Sequence, residues 1–135
     1  MQISTTNQNF LNLYKAFEDS KECKGLEFAK TILSNGDVIK EHLNYIEAMA
    51  IPSEEFIELS IKAKKLIDAE NLEELQKLEA EEDNAKIIAE RKTQLVKVNE
   101  ELQKESTLDL KTLKESDLPK DISVANYEVL KLIIK

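Results

Sequence analysis

A chain of 135 residues with 41% hydrophobic residues is long enough to bury a core of its own, so it needs no disulfide or metal staple. Two glycines and two prolines supply few tight turns, which excludes a sandwich or barrel and points to an all-α fold. A formal charge of −8 repels nucleic acid and anionic lipid, so neither direct nucleic-acid binding nor a membrane partner is expected.

With no tryptophan and 5% aromatic residues, the core is expected to be aliphatic, built from Leu, Ile and Ala. The single cysteine, Cys23, cannot form an internal disulfide and reads as a partly buried helix-end residue in a reducing compartment. Met1-Gln2-Ile3-Ser4 carries no basic, apolar leader signal, and no apolar run approaches the roughly 18 residues that span a bilayer. Charge is uneven. Residues 1–52 hold five lysines against seven acids, residues 53–105 nine basic residues against fifteen acids, and residues 106–135 five of each. The densest stretch, Asp68 to Glu90, has nine acids with only Lys77 and Lys86 among them.

The first predicted helix runs from about Asn7 to Glu22. Phe10, Leu13, Tyr14 and Phe17 recur at i, i+3, i+4, i+7, Thr5 or Thr6 can cap it, and Gly25 is a plausible stop. A second helix covers Leu26 to Ala50, with Phe28, Ile32, Ile39, Leu43, Ile46 and Ala50 on one stripe. Gly36 falls on that stripe. Because the apolar phase continues across it, one unbroken helix is expected, with Gly36 allowing a neighbour to approach closely. Ser53 restarts the chain as the cap of a third helix, with Glu54 and Glu55 in its first turn. Phe56, Ala63, Leu66 and Ile67 form its expected inner face, widened by Ile57 and Ile61.

From Asn71 to Gln103 there is no Gly or Pro, and strong helix formers dominate, so one long helix is expected. Ile88, Leu95 and Leu102 repeat every seven residues and Leu78 and Ala85 form a second row, a partial heptad interrupted by Glu81, Lys92 and Asn99. Glu82–Lys86 and Glu100–Lys104 have the favourable i, i+4 order. Farther on, Thr107 to Lys111 alternates polar and apolar and reads as one short strand near Leu108–Leu110. Ser116-Asp117-Leu118-Pro119 reads as a turn. Ser123 caps a final helix with Tyr127, Leu130, Ile133 and Ile134 on its apolar face.

Signals of chemistry are sparse. His42 is the only histidine, and the Glu that a helical Glu-x-x-His metal pair requires is Ile39 here. His42 therefore reads as a surface or boundary residue. Glu79, Glu81, Glu82 and Asp83 lack the glycine and the ligand alternation of a calcium loop. Gly25 and Gly36 cannot make a phosphate cradle, and no nucleophile has a base beside it. No catalytic, cofactor-binding or metal-binding residue is nominated, no cofactor is implied, and the protein is expected not to be an enzyme.

Two features remain as candidate functional surfaces. The apolar positions Leu78, Ala85, Ile88, Leu95, Val98 and Leu102 are a candidate interface for a protein partner or for self-association. The acids Glu79, Glu81, Glu82 and Asp83 are a candidate acidic surface that could mimic a nucleic-acid backbone and block a host nucleic-acid-binding or defence protein.

Glu90-Arg91-Lys92-Thr93-Gln94-Leu95, Val98-Asn99-Glu100-Glu101-Leu102, Leu108-Asp109-Leu110 and Leu118-Pro119-Lys120-Asp121-Ile122-Ser123 form a series that resembles short helical accessory proteins of tailed bacteriophages. Leu26-Glu27-Phe28-Ala29-Lys30 through Asn35 is similar to their second-helix start. The resemblance covers about two thirds of the chain and implies a phage setting without catalytic residues. The expectation is thus a single helical domain over residues 1–135, a small bundle with long antiparallel coiled-coil-like helices. It would act by protein contact as a virion component or assembly accessory, in the virion or the cytoplasm of the infected cell.

Overall fold

A computed structural model describes all residues, Met1–Lys135. The chain is mainly helical, with a strand β1 (Gln2–Thr6), helices α1 (Asn7–Asp19), α2 (Leu26–Met49), α3 (Glu54–Asp68), α4 (Leu72–Ala80) and α5 (Glu82–Gln103), a strand β2 (Glu105–Asp109) and a short helix α6 (Val124–Leu130). It forms two compact units, one of Met1–Ile46 with Glu101–Lys135, the other of Glu47–Glu100.

The first unit holds most of the core. Ile3, Thr5 and Thr6 are β-branched and suit an extended chain. β1 pairs antiparallel with β2, with Ile3 opposite Leu108 and Ser4 opposite Thr107, whose hydroxyls lie 2.6 Å apart. The second strand begins two residues ahead of the predicted Thr107–Lys111 stretch, and Leu110 lies beyond it, fully buried. Its strand partner, β1, carries no alternating apolar pattern, because only Ile3 faces inward.

Thr6 ends β1 and caps α1, its hydroxyl accepting from the Asn9 N–H at 3.2 Å. α1 stops at Ser20, short of Glu22. Gly25 does not stop it. With φ +131° it precedes α2, its carbonyl accepting from the Ala29 N–H. α2 then runs unbroken through Gly36 and buries Phe28, Ile32, Ile39, Leu43 and Ile46 on one stripe. The core is not purely aliphatic: Phe10, Phe17 and Phe28 are among its buried members. They fall at the helical spacing of the core stripes, so few aromatics in total still leaves them concentrated inside.

A buried amide ties α2 to the segment after β2. Asn35 on α2 makes a pair of hydrogen bonds to the backbone of Lys111, donating to its carbonyl at 2.9 Å and accepting from its N–H at 2.8 Å. That clamp holds the segment carrying Leu110 and Leu113 against the core. Leu113 in turn exchanges backbone bonds with the C-terminal segment, accepting from the Lys135 N–H and donating to the Ile133 carbonyl. α6 is capped by Ser123 and ends at Leu130. Ile133 is buried from a 3-10 turn and Ile134 half-buried from an extended residue, so the predicted final face is assembled from three backbone types.

In the second unit Ser53 caps α3, accepting from the Phe56 N–H at 3.2 Å with Glu54 and Glu55 in the first turn. Phe56, Ala63 and Leu66 of the predicted inner face are half-buried on the packed side, whereas its last member and the two widening isoleucines fall outside it. Leu59 is the one buried side chain of α3, while Ile57, Ile61 and Ile67 are exposed. α3 closes with the Asn71 N–H bonded to the Leu66 carbonyl and the Glu70 N–H to the Ile67 carbonyl, a Schellman arrangement. Its left-handed position is filled by Glu70, at φ 56°, where glycine is the usual residue. Asn71 then caps α4, accepting from the Glu74 N–H.

The predicted single helix over Asn71–Gln103 is broken. Glu81 adopts ψ 136°, ending α4, and α5 starts at Glu82. Two forces favour the break. It relieves a helix of the adjacent charges Glu79, Glu81, Glu82 and Asp83, and it moves Glu82 and Asp83 to the positive end of α5. Asn84 stabilises it by donating to the Leu78 carbonyl at 2.9 Å and to the Glu81 carboxylate at 3.0 Å. Lys104 meets Glu101 at i, i+3, and i, i+3 is also the spacing of the Glu18–Lys21, Glu27–Lys30, Glu74–Lys77 and Glu128–Lys131 pairs.

Glu70→Gly should raise stability by about 1 kcal/mol by removing the left-handed strain, read as a higher urea midpoint at unchanged slope. Gly36→Ala should also stabilise, by about 1 kcal/mol. A β-carbon there would sit 3.8 Å from Tyr14 and 4.0 Å from Phe17, ordinary contact distances, so the α1 neighbour does not require glycine. A lower melting temperature for the alanine variant would show that the helix contact has no room for a methyl group.

Candidate functional site

The Glu47–Glu100 unit has a thin core. Of the sixteen buried apolar side chains in the chain, only Leu59 and Val98 belong to it. What holds α5 to the preceding segment is polar. Gln94 donates to the carbonyls of Met49 and Ile51 at 2.7 and 2.6 Å, and Arg91 donates to the Ala50 carbonyl at 2.8 Å. These are the free carbonyls at and just beyond the C-terminus of α2, where a guanidinium also meets the negative end of the helix dipole. Arg91 lies over the Phe56 ring at 5.5 Å and bonds the Gln94 side chain, so the two capping groups orient each other.

This arrangement explains where the predicted interface residues fall. The packed face of α5 is centred on Asn84, Ile87, Arg91, Gln94 and Val98, a row that polar residues hide from an apolar pattern. Ile88 and Leu102 lie at its border and are half-buried, as is Leu78 on α4. Val98 is buried and unavailable to a partner. Ala85 and Leu95 are exposed, Leu95 at 45%, beside Val96 at 58%, which the heptad reading passed over. The six residues therefore divide between packing and surface. Ile51, Ile67 and Leu72 add exposed apolar area in the same unit.

Glu79, Glu81, Glu82 and Asp83 are all exposed and gather at the α4–α5 break, with the Glu81 carboxylate accepting from Asn84. A groove of about 550 Å³ runs along α5, lined by Met49, Lys86, Ala89, Glu90, Thr93, Gln94 and Lys97. Its lining combines the apolar Met49 and Ala89 with two lysines and one glutamate.

The first unit carries the densest polar network. Asn7 is 1% exposed and sits at the junction of β1 and α1. Its backbone N–H donates to the Lys104 carbonyl at 2.9 Å and its side chain to the Glu101 carbonyl at 2.9 Å, so it caps the C-terminus of α5. Its Oδ1 meets His42 Nε2 at 3.0 Å. His42 is a half-buried boundary residue between the edges of Phe10 and Tyr45. The Tyr45 hydroxyl donates to the Glu101 carboxylate at 3.1 Å. Burial, then the Glu101 carboxylate, push the Tyr45 hydroxyl up. Lys104 holds the Glu101 carboxyl below the usual carboxylate range, against the opposing effect of burial, and the Tyr45 bond adds to the lowering.

These groups satisfy one another, and no buried polar side-chain atom is left without a partner. No group of three or more His, Cys, Asp or Glu converges as a metal site. Cys23 is free and half-buried; burial and the nearby Asp121 carboxylate push its thiol up, which keeps it protonated and a poor nucleophile. A second cleft, about 750 Å³, is lined by Lys24, Gly25, Leu26, the 116–121 loop and the carboxylates of Glu22 and Glu27. No helix is long and apolar enough to cross a membrane.

The lowered Glu101 carboxyl has a pH consequence. A carboxylate held low in the folded state stabilises above its unfolded pKa, and that contribution is lost as pH falls through its folded pKa. Glu101→Gln should therefore be less stable than the parent at neutral pH, and the gap should close as pH drops through and below the ordinary carboxylate range. Thermal unfolding across that range checks it; a gap independent of pH would mean that the ion pair with Lys104 contributes nothing.

Comparison with known protein families, curated proteins and solved structures finds no match to this chain.

Proposed function

We propose that the protein is non-catalytic and works by protein–protein contact, as a virion component or assembly accessory of a tailed bacteriophage. The observation that carries the contact reading is the imbalance of the Glu47–Glu100 unit, which buries Leu59 and Val98 while leaving Leu72, Leu95 and Val96 among its large exposed apolar residues. Apolar surface in this quantity on one small unit is the common signature of a face that another protein covers. The phage setting rests on the resemblance of the Leu26–Asn35, Glu90–Leu102, Leu108–Leu110 and Leu118–Ser123 segments. On this reading Leu95, Val96 and Ala85 meet the partner on the outward side of α5, while Ile88, Leu78 and Leu102 support them from the border of the packed face. Buried Val98 holds the helix in place.

A second reading is supported by the four carboxylates Glu79, Glu81, Glu82 and Asp83, all exposed at one bend. They would occupy a basic groove of a host nucleic-acid enzyme or defence protein, with an affinity that falls steeply with salt.

Purification of the tagged protein from the cells that make it, with mass spectrometry of what accompanies it, separates the two. Portal, tail or capsid proteins should co-purify and should be lost with the double variant Leu95→Asp, Val96→Asp. Recovery of a host nuclease or polymerase, retained by that variant but lost on changing the four acids to Gln and Asn, would overturn the contact reading in favour of the acidic one.

A further inference from the structure

The outward stripe of α3 has a pattern that a single copy of the chain leaves unused. Glu54, Ile57, Ile61 and Lys64 follow one another at i, i+3, i+7, i+10, which is the a/d spacing of a helix–helix seam. All four are exposed, Ile57 at 43% and Ile61 at 52%, on the side of α3 opposite buried Leu59. Neither Glu54 nor Lys64 makes an ion pair within its own chain. The charges of the helix are also largely segregated: Glu54, Glu55 and Glu58 lie in its first half, Lys62, Lys64 and Lys65 in its second, where Asp68 at the last position is the one acid.

We propose that α3 pairs with α3 of a second copy of this chain, antiparallel, about a two-fold axis passing level with Leu59. In that register every a position faces a d position. Ile57 of each copy meets Ile61 of the other, and Glu54 meets Lys64 at both ends. The stripe is thus self-complementary, as an isologous interface must be. The parallel alternative sets Glu54 against Glu54 and Lys64 against Lys64, so the same charges that favour one orientation oppose the other. A different protein would have to reproduce this order of acid, two apolar residues and base; a second copy already carries it. One helix on one helix buries less than the roughly 1,200 Å² at the lower bound of a standard interface, so the dimer forms reversibly with concentration. The proposal rests on the reading that this unit works through protein contact, and it names the partner of α3 as the chain itself, leaving Leu95 and Val96 on α5 to another protein.

Sedimentation velocity over a wide concentration range tests it, with circular dichroism confirming that each exposed-site variant remains helical. The parent should shift from monomer to dimer as concentration rises. Ile57→Asp should stay monomeric, and Glu54→Lys and Lys64→Glu should each weaken the dimer by about tenfold or more, because each sets two like-charge pairs in the seam. Mixing those two single variants should restore dimerisation, since every Lys then faces a Glu across the unlike pair. A parent that remains monomeric at millimolar concentration overturns the proposal, as does a dimer indifferent to Ile57→Asp and to both charge reversals. Co-purification lost only on changing Leu95 and Val96 would leave the contact function standing while the α3 dimer fails, so the two failures can be told apart.

Discussion

Every helix in this chain must end, and almost none can end on glycine. A terminating helix leaves its last carbonyls without partners, and the usual remedy is a glycine in the left-handed conformation just past the end. The two glycines here are elsewhere, Gly25 ahead of α2 and Gly36 inside it. Side chains from distant parts of the sequence therefore do the work. Asn7 takes the carbonyl of Glu101, while its backbone N–H takes that of Lys104; Gln94 and Arg91 take those of Met49, Ala50 and Ile51; Asn84 takes that of Leu78. α1 closes on backbone bonds from Ser20 to Ala16 and Phe17, and α3 alone ends on a left-handed residue, Glu70, in a strained conformation. The caps thus double as tertiary ties. Asn7 joins the start of α1 to the end of α5, ninety-odd residues away, at the point where β2 begins.

Those ties compensate unequally in the two units. In the first, capping by Asn7 and the Asn35 clamp sit on a core that includes Phe10, Phe28, Ile39, Leu130 and Ile133, all at 0% exposure. Burying each such side chain stabilises by about 2 kcal/mol, so the polar ties mainly select one arrangement of an already favourable core. In the second unit only Leu59 and Val98 are buried to that extent, with Phe56, Leu66, Leu78, Ile87 and Ile88 half-buried around them. Its order depends on Arg91, Gln94 and Asn84, groups that satisfy carbonyls but bury little apolar area. A unit built this way retains exposed isoleucine and leucine because it has too few partners of its own to cover them. That is the physical basis for reading it as a contact module, with α3 and α5 offering separate faces.

Composition, propensity and periodicity determined a good deal. The scarcity of Gly and Pro required a mainly helical chain, the stripes of α1 and α2 followed from spacing alone, and Thr6, Ser53 and Ser123 stand where short hydroxyl side chains cap helices. Each of these is a local interaction, spanning three or four residues, and local interactions are written in local order. Tertiary structure decided what depends on residues far apart. β1 had no signal because a strand with one inward residue shows no alternation until its partner at Glu105–Asp109 is known. The break at Glu81 had no glycine or proline to announce it and is held by a side chain reaching back six residues. The inner face of α5 was misjudged because apolar periodicity marks the rows that bury hydrocarbon, whereas Arg91 and Gln94 face inward to satisfy carbonyls of another helix. On α3 the spacing separates two apolar rows, Phe56, Leu59, Ala63 and Leu66 on one side and Ile57 and Ile61 on the other, and only the packed partner decided which row is covered.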